Sequence, residues 1–237
     1  MCETCGCSAG GGKLAPFRRV TGIREPVQVQ VLARNRTLAA RNRALLSEQR
    51  VTAINLMSSP GAGKTTLLSR TLPELLRHGP VGVIEGDQAT ALDAERVAQT
   101  GAPVVQINTG RGCHLEADMI FGALQQLAPQ PSTLLIIENV GNLVCPALFD
   151  LGEAKRVVLL SVTEGDDKPE KYPNMFAAAD LVVLTKLDLL AHVDFDVERA
   201  RRGVSRLNPK AQWLEVSAKT GAGVPTLLGW LESQRAA

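Results

Sequence analysis

No apolar run in the 237-residue sequence reaches the ~18–20 residues that a membrane-spanning helix needs, and the N-terminus lacks the long apolar stretch of a secretory signal. Net charge is nearly absent as well. The 26 Lys and Arg residues against 24 Asp and Glu leave a formal charge of +2, which gives no electrostatic case for nucleic acid or an anionic membrane as the main partner. Internal repeats are absent too. These absences point to a cytoplasmic protein. In a reducing compartment disulfides are not expected, so the five cysteines point to metal binding or thiol chemistry. Hydrophobic residues make up 45% of the chain, enough for a real core. The length suits one large domain, or one domain with an appendage.

The thiols that are there are placed unevenly. Cys2, Cys5 and Cys7 crowd into the opening MCETCGC, and the SAGGGK that follows reads as a flexible tether. Residues 1–12 are therefore expected to be a Cys-rich metal-binding tail, residues 13–50 a tether and an amphipathic helix, and residues 51–237 the main domain. The helix is expected from roughly residue 26 to 50, where VQVQVLARNRTLAARNRALLSEQR alternates apolar residues with Arg, Asn and Gln at helical spacing. Its plain reading is a solvated helix leaning on the main domain, preferred here to any basic nucleic-acid motif.

From residue 51 short apolar runs alternate with helical stretches: VTAINLM, VGVIEGD, PVVQINT, TLLIIEN, RVVLLSV, LVVLTK and QWLEVS. Short, β-branched and flanked by turn residues, they read as buried strands. Strands alternating with helices predict an α/β fold, a doubly wound and mostly parallel sheet. Loops at the carboxyl ends of its strands would share one edge, where ligands bind.

The first of these loops, SSPGAGKTTLL, lies between a strand and a Leu-rich helix. Gly61 and Gly63 let the backbone curl so that its N–H groups face phosphate. Ala62 and Thr66 complete the cradle, Lys64 would reach the β- and γ-phosphates, and Thr65 would ligate Mg²⁺. Ser58 stands where the usual pattern has Gly. A plain Gly-rich turn is the bland alternative, disfavoured by the strand before and the helix after. Two later strand ends, LTKLD and VSAKTG, resemble the base-reading loops of GTPases. Asp188 would accept both hydrogens of the guanine N1 and N2 edge, which adenine cannot offer. The Lys186 stem would cover the ring, and the Ala218 N–H, between Ser217 and Lys219, would meet the guanine carbonyl. Thr185 replaces the usual Asn. GTP and GDP are favoured over ATP. Asp87 in VIEGD and Glu138 in IIENVGN end two further strands, where carboxylates hold Mg²⁺ in phosphoryl transfer. Glu138 to Gly141 has the form ExxG. A strand-end carboxylate capping the next element is the alternative for each.

Cys113 and His114 follow the strand PVVQINT, and Cys145 follows ENVGN, so both loops belong to the same sheet edge. Two Cys and one His make a ligand set suited to Zn²⁺ or Ni²⁺. Three ligands leave a tetrahedral site short by one, which a symmetric dimer could supply. Two unrelated loop thiols are the alternative reading.

Taken together, MCETCGC, SSPGAGKTT, VIEGDQAT, VQINTGRGCHL, ENVGNLVCP, SVTEGDDKPEKYP, TKLD and VSAKTG resemble the HypB family over nearly the whole chain. These are GTPases that help insert nickel during maturation of NiFe-hydrogenase. Urease accessory GTPases are similar in the GTPase domain but are not expected to carry the cysteine tail. The resemblance implies a Mg²⁺-dependent GTPase with a nickel site at Cys2, Cys5 and Cys7 and a second metal site at Cys113, His114 and Cys145. It further implies a GTP-dependent homodimer, a HypA-type nickel metallochaperone as partner, and the hydrogenase large-subunit precursor as recipient. Some members have a His-rich tract after the cysteines; this chain has three His in all and no tract. A CxxCxC cluster on a tail becomes a metal site only as metal arrives. Three thiolates plus an amine or backbone nitrogen would favour Ni²⁺ if planar. Two other readings are a metal reservoir whose nucleotide site serves assembly, and a GTP-dependent signalling or translation switch with incidental cysteines.

Overall fold

The computed structural model describes residues 24–87, 92–110 and 112–235. Cys2, Cys5 and Cys7 and the Gly-rich tether lie outside the described residues. All seven expected strands form, and they pair in parallel throughout: β1 Thr52–Ser58, β2 Val81–Asp87, β3 Val104–Asn108, β4 Leu134–Glu138, β5 Lys155–Ser161, β6 Leu181–Thr185 and β7 Gln212–Glu215. Their order across the sheet is β3-β2-β4-β1-β5-β6-β7. The chain works outward on one side of β1, then crosses beside it from β4 to β5 and works outward on the other. The loops after β1 and its neighbours therefore diverge at a topological switch point, where an open α/β sheet leaves a crevice for a ligand.

The helices are α1 Arg24–Glu48, α2 Lys64–His78, α3 Leu92–Ala98, α4 Ala117–Leu127, the short α5 Lys168–Lys171 and α6 Pro173–Ala177, α7 Val197–Leu207 and α8 Val224–Ser233. Side chains alternate across the strands, and each set has its own cover. Ile54, Leu56, Leu134 and Ile136 pack with Leu68 and Leu72 of α2 and Leu227 of α8. Across the sheet, Ala53, Leu135 and Ile137 pack with Ile120 and Leu124 of α4, while Met57, Val158 and Val182 pack with Phe176 and Val204 of α6 and α7. Burial on both faces is why the strands read as continuous apolar runs rather than as alternating ones.

Helix α1 is present, but it is more than a solvated helix leaning on the domain. Its Leu46 enters the core beside α4, and the Arg41 guanidinium lies 3.9 Å from the centre of the Phe121 ring. Two buried asparagines rivet it in place. Asn42 donates to the carbonyls of Ala117 (2.7 Å) and Leu151 (3.0 Å). Asn35 donates to Asp150 O (2.7 Å) and accepts from Ala117 N–H (2.8 Å). Gly152 is required at this junction, because a Cβ there would lie 2.7 Å from both Ala39 O and Asn42 Cβ. Among the described residues no helix is long and apolar enough to cross a membrane.

Candidate nucleotide and metal site

The loop after β1 has the shape its glycines permit. Gly61 (φ +73°) and Gly63 (φ +97°) occupy the left-handed region, and α2 starts at once with Lys64. The N-terminus of α2 thus faces the crevice with unpaired N–H groups and a partial positive charge. Lys64 Nζ donates to Ser58 Oγ at 3.0 Å. Burial pushes the Lys64 ammonium below its ordinary pKa, against the pull of Glu138 and other carboxylates. Ser59 donates to Glu164 Oε2 at 2.6 Å, and Glu164 Oε1 accepts from Ser161 N–H at 3.2 Å, so the loop after β5 braces the loop after β1. Gly141 is a place of close approach. A Cβ there would lie 2.9 Å from Pro60 Cα, so the ENVGN backbone runs directly against the Gly-rich loop.

A cavity of about 250 Å³ opens beside this loop, lined by Gly63, Thr66, Lys186, Asp188, Ala218 and Lys219 among others. Lys186 sits in the left-handed region (φ 58°), a conformation rare for a residue with a Cβ and commonest at functional sites. Thr185 is buried, and its hydroxyl donates to Ala62 O at 2.7 Å. It therefore ties the base-side loop to the Gly-rich loop from the position where Asn is usual. Ser217 donates its hydroxyl to Asp188 Oδ1, which holds the Asp188 carboxyl below its ordinary pKa and fixes its orientation.

Glu138 ends β4, 3% exposed, and accepts from the Thr65 hydroxyl at 2.7 Å. Burial pushes its carboxyl up to about 7, although Lys64 and Thr65 oppose the rise. Asp87 ends β2, its carbonyl taking Thr109 N–H at 2.9 Å. Thus Lys64, Thr65 and Glu138 meet at the mouth of α2, with Asp87 at the neighbouring strand end.

Cys113, His114 and Cys145 come together with their ligand atoms all within 4.8 Å of one another. The two Sγ atoms lie 2.9 Å apart, and Cys113 Sγ is 3.5 Å from His114 Nδ1. The His114 ring rests on Phe149, centroids 3.9 Å apart. Its Nε2 faces Glu116 Oε1 at 3.6 Å, too long for a hydrogen bond. Burial lowers the His114 pKa, which favours the neutral, metal-binding imidazole. Burial and the adjacent Cys113 raise the Cys145 thiol to about 11, so a metal must displace its proton to bind. Asn142 shapes the turn by accepting from Val144 N–H (2.7 Å) and Cys145 N–H (3.3 Å).

The profile of the family described as "CobW/HypB/UreG, nucleotide-binding domain" matches residues 52–215. A hydrogenase maturation factor HypB from Rhizobium leguminosarum bv. viciae is 55% identical over 206 residues, covering 87% of this chain and 69% of that protein. The HypB of Escherichia coli strain K12 is 43% identical over an alignment that covers 100% of both chains. The chain belongs to the HypB family of hydrogenase maturation factors. A solved HypB from Helicobacter pylori in complex with nickel superposes with a TM-score of 0.79 at 40% identity, covering 85% of this chain and 94% of that one. The expected family and fold are therefore correct, and this HypB-family chain carries a P-loop nucleotide-binding domain.

Sequence reasoning missed several residues at the site of this HypB-family member. Glu85 is 2% exposed in the middle of an apolar strand, and burial beside Glu138 raises it to about 8. Its signal was visible: a carboxylate two places before Asp87 must share that residue's side of the strand. Asn139 was missed as well. Its Oδ1 accepts from Leu115 N–H at 3.3 Å, and its Nδ2 donates to Asn55 Oδ1 at 3.2 Å. Glu164 lay in the quoted SVTEGDDKPEKYP, but only the fold brings it to Ser59.

Proposed function

We propose that this chain is a GTP-hydrolysing nickel carrier whose nucleotide state controls how metal is held at Cys113, His114 and Cys145. The observation that carries the reading is the single short segment Glu138–Cys145. It begins at the carboxylate bonded to Thr65, passes Asn139 and Gly141, and ends at a thiol of the metal cluster. Gly141 lies against the Gly-rich loop, and Asn139 accepts from the residue that follows His114. A rearrangement of this segment on γ-phosphate binding would therefore reach both sides of the cluster.

The roles follow from chemistry. Gly61, Ala62, Gly63 and Thr66 would cradle phosphates, and Lys64 would offset γ-phosphate charge. Asp188 would read the guanine N1 and N2 edge, Lys186 would cover the ring, and Ala218, between Ser217 and Lys219, would meet the carbonyl. The residues also fit Mg²⁺. Glu138 Oε2 is buried with no hydrogen-bond partner among the described residues, an oxygen suited to a hard cation. Thr65, Glu138 and Asp87 would hold the ion, which supplies charge neutralisation to the phosphates. Nickel is the cargo, and the soft donor set suits Zn²⁺ as well. Exposed Val144 and Leu148 flank Cys145, which favours a second copy covering the cluster and completing its ligands in the GTP state. Cys2, Cys5 and Cys7 would make a separate nickel site. A HypA-type metallochaperone, the hydrogenase large-subunit precursor and a cytoplasmic setting complete the reading.

The test is titration of Ni²⁺ and Zn²⁺ into protein lacking residues 1–12, first with GDP and then with a non-hydrolysable GTP analogue. Different affinities in the two states are expected, together with GTP turnover that Lys64→Ala abolishes. Identical affinities, or normal turnover by the Lys64 variant, would overturn the reading.

A further inference from the structure

Parallel pairing of β2 with β4 sets Glu85 directly opposite Glu138. Strand alternation places both on the side covered by α2, because Val83 and Ile136, two residues before each, belong to the core packed against that helix. The two carboxylates are therefore side by side behind Lys64 and Thr65, 2% and 3% exposed. Each has an oxygen, Glu85 Oε2 and Glu138 Oε2, that is buried with no hydrogen-bond partner among the described residues. Two neighbouring buried carboxylates repel, and each orphaned oxygen has given up its water with nothing in return. An aliphatic side chain at position 85 would continue the apolar face that Val83 begins, at no such cost. The arrangement is poor as core and good as a cation site.

We propose that Glu85 is a third carboxylate of the Mg²⁺ site, acting with Glu138 and Asp87 to hold the ion and its water shell. The proposal rests on the Mg²⁺–GTP reading given above. Mg²⁺ keeps several of its waters when bound, and carboxylates that hold such waters tune affinity; losing one such partner costs about 10–100-fold in metal binding. Glu85 lies deeper along its strand than Asp87, so it stands behind the ion rather than at its entrance.

The competing role for Glu85 is to position Lys64 through charge alone. Both are read from one measurement on the full chain: the affinity for fluorescently labelled GDP in EDTA and across a Mg²⁺ titration. The quantity compared is the gain in GDP affinity on adding Mg²⁺, with the Mg²⁺ concentration that gives half of it. For Glu85→Gln that concentration is expected to rise about tenfold or more. Glu85→Asp, which keeps the charge, should recover part of the loss and serves if the Gln variant does not fold. An equal fall in GDP affinity with and without Mg²⁺ would assign Glu85 to Lys64 and overturn the proposal. An unchanged half-saturation in both variants would overturn it while leaving the Mg²⁺ reading intact. Should wild-type GDP affinity ignore Mg²⁺ altogether, the cation reading falls, and Glu85 with it.

Discussion

At Lys64 two demands meet in one side chain. Burial disfavours its charge, while Glu138 and the other nearby carboxylates favour it. The same opposition runs through Glu85 and Glu138, raised to about 8 and about 7 by burial. A carboxyl raised in the folded state binds more protons folded than unfolded between its two pKa values. For Glu85 that window runs from 4.5 to about 8. Its contribution to stability is complete below pH 4.5 and is lost as the pH rises through 8. The nucleotide-free protein should therefore melt at progressively lower temperature across that window, and Glu85→Gln should flatten the slope in a series of thermal melts. Asp188 makes a separate residue-scale prediction. Asp188→Asn keeps the bond from Ser217 but loses the second acceptor for guanine. GTP affinity should fall about 10–100-fold, and preference should move toward xanthine nucleotide, whose C2 carbonyl accepts from the amide. Competition binding with GTP, XTP and ATP reads the shift.

Among the elements, α1 has the most unexpected role. Its Asn35 and Asn42 bond to Ala117, which opens α4 just after the Cys113–His114 loop, and to Asp150 and Leu151, which follow Cys145 and Phe149. One helix therefore clamps the far ends of the two loops that carry Cys113, His114 and Cys145, and it is the helix that follows the cysteine tail in sequence. Asn42→Ala would leave two carbonyls without their donor, a loss of about 1–3 kcal/mol. Denaturant unfolding should show a lower midpoint with an unchanged slope. Metal affinity at Cys113, His114 and Cys145 should also weaken in a Co²⁺ or Ni²⁺ titration followed by thiolate absorption.

At the scale of the whole molecule, the metal cluster and the nucleotide crevice are expected to be coupled. On the proposed reading, metal and nucleotide sites share the segment from Glu138 to Cys145, so a ligand at one must bias the other if the segment has two arrangements. Linkage makes the effect reciprocal, typically about 5–150-fold. Ni²⁺ at the cluster should change the affinity for the GTP analogue by the same factor that the analogue changes the affinity for Ni²⁺. Cys145→Ala should abolish both effects while leaving metal binding by the N-terminal cysteines intact. Calorimetric titrations run in the two orders check the equality.

Much of this was legible in the linear order of residues, because it depends on neighbours along the chain. Apolar runs marked seven strands, two glycines and a Lys-Thr pair marked the loop that opens α2, and Asp188 marked a loop that lines the cavity beside it, each through spacing that local geometry enforces. Cysteines and a histidine in loops after strands could be assigned to one edge by the rule for parallel sheets. The tertiary structure alone decided what depends on register between distant strands. It set Glu85 opposite Glu138, brought Glu164 to Ser59, laid Gly141 against Pro60 and aimed Asn139 at Leu115. It also turned α1 from a solvated helix into a clamp, since Asn residues at helical spacing read as surface until the carbonyls they bind are known. Local spacing carries the chemistry each loop can perform, but the contacts between loops come from packing, which no single stretch of sequence encodes.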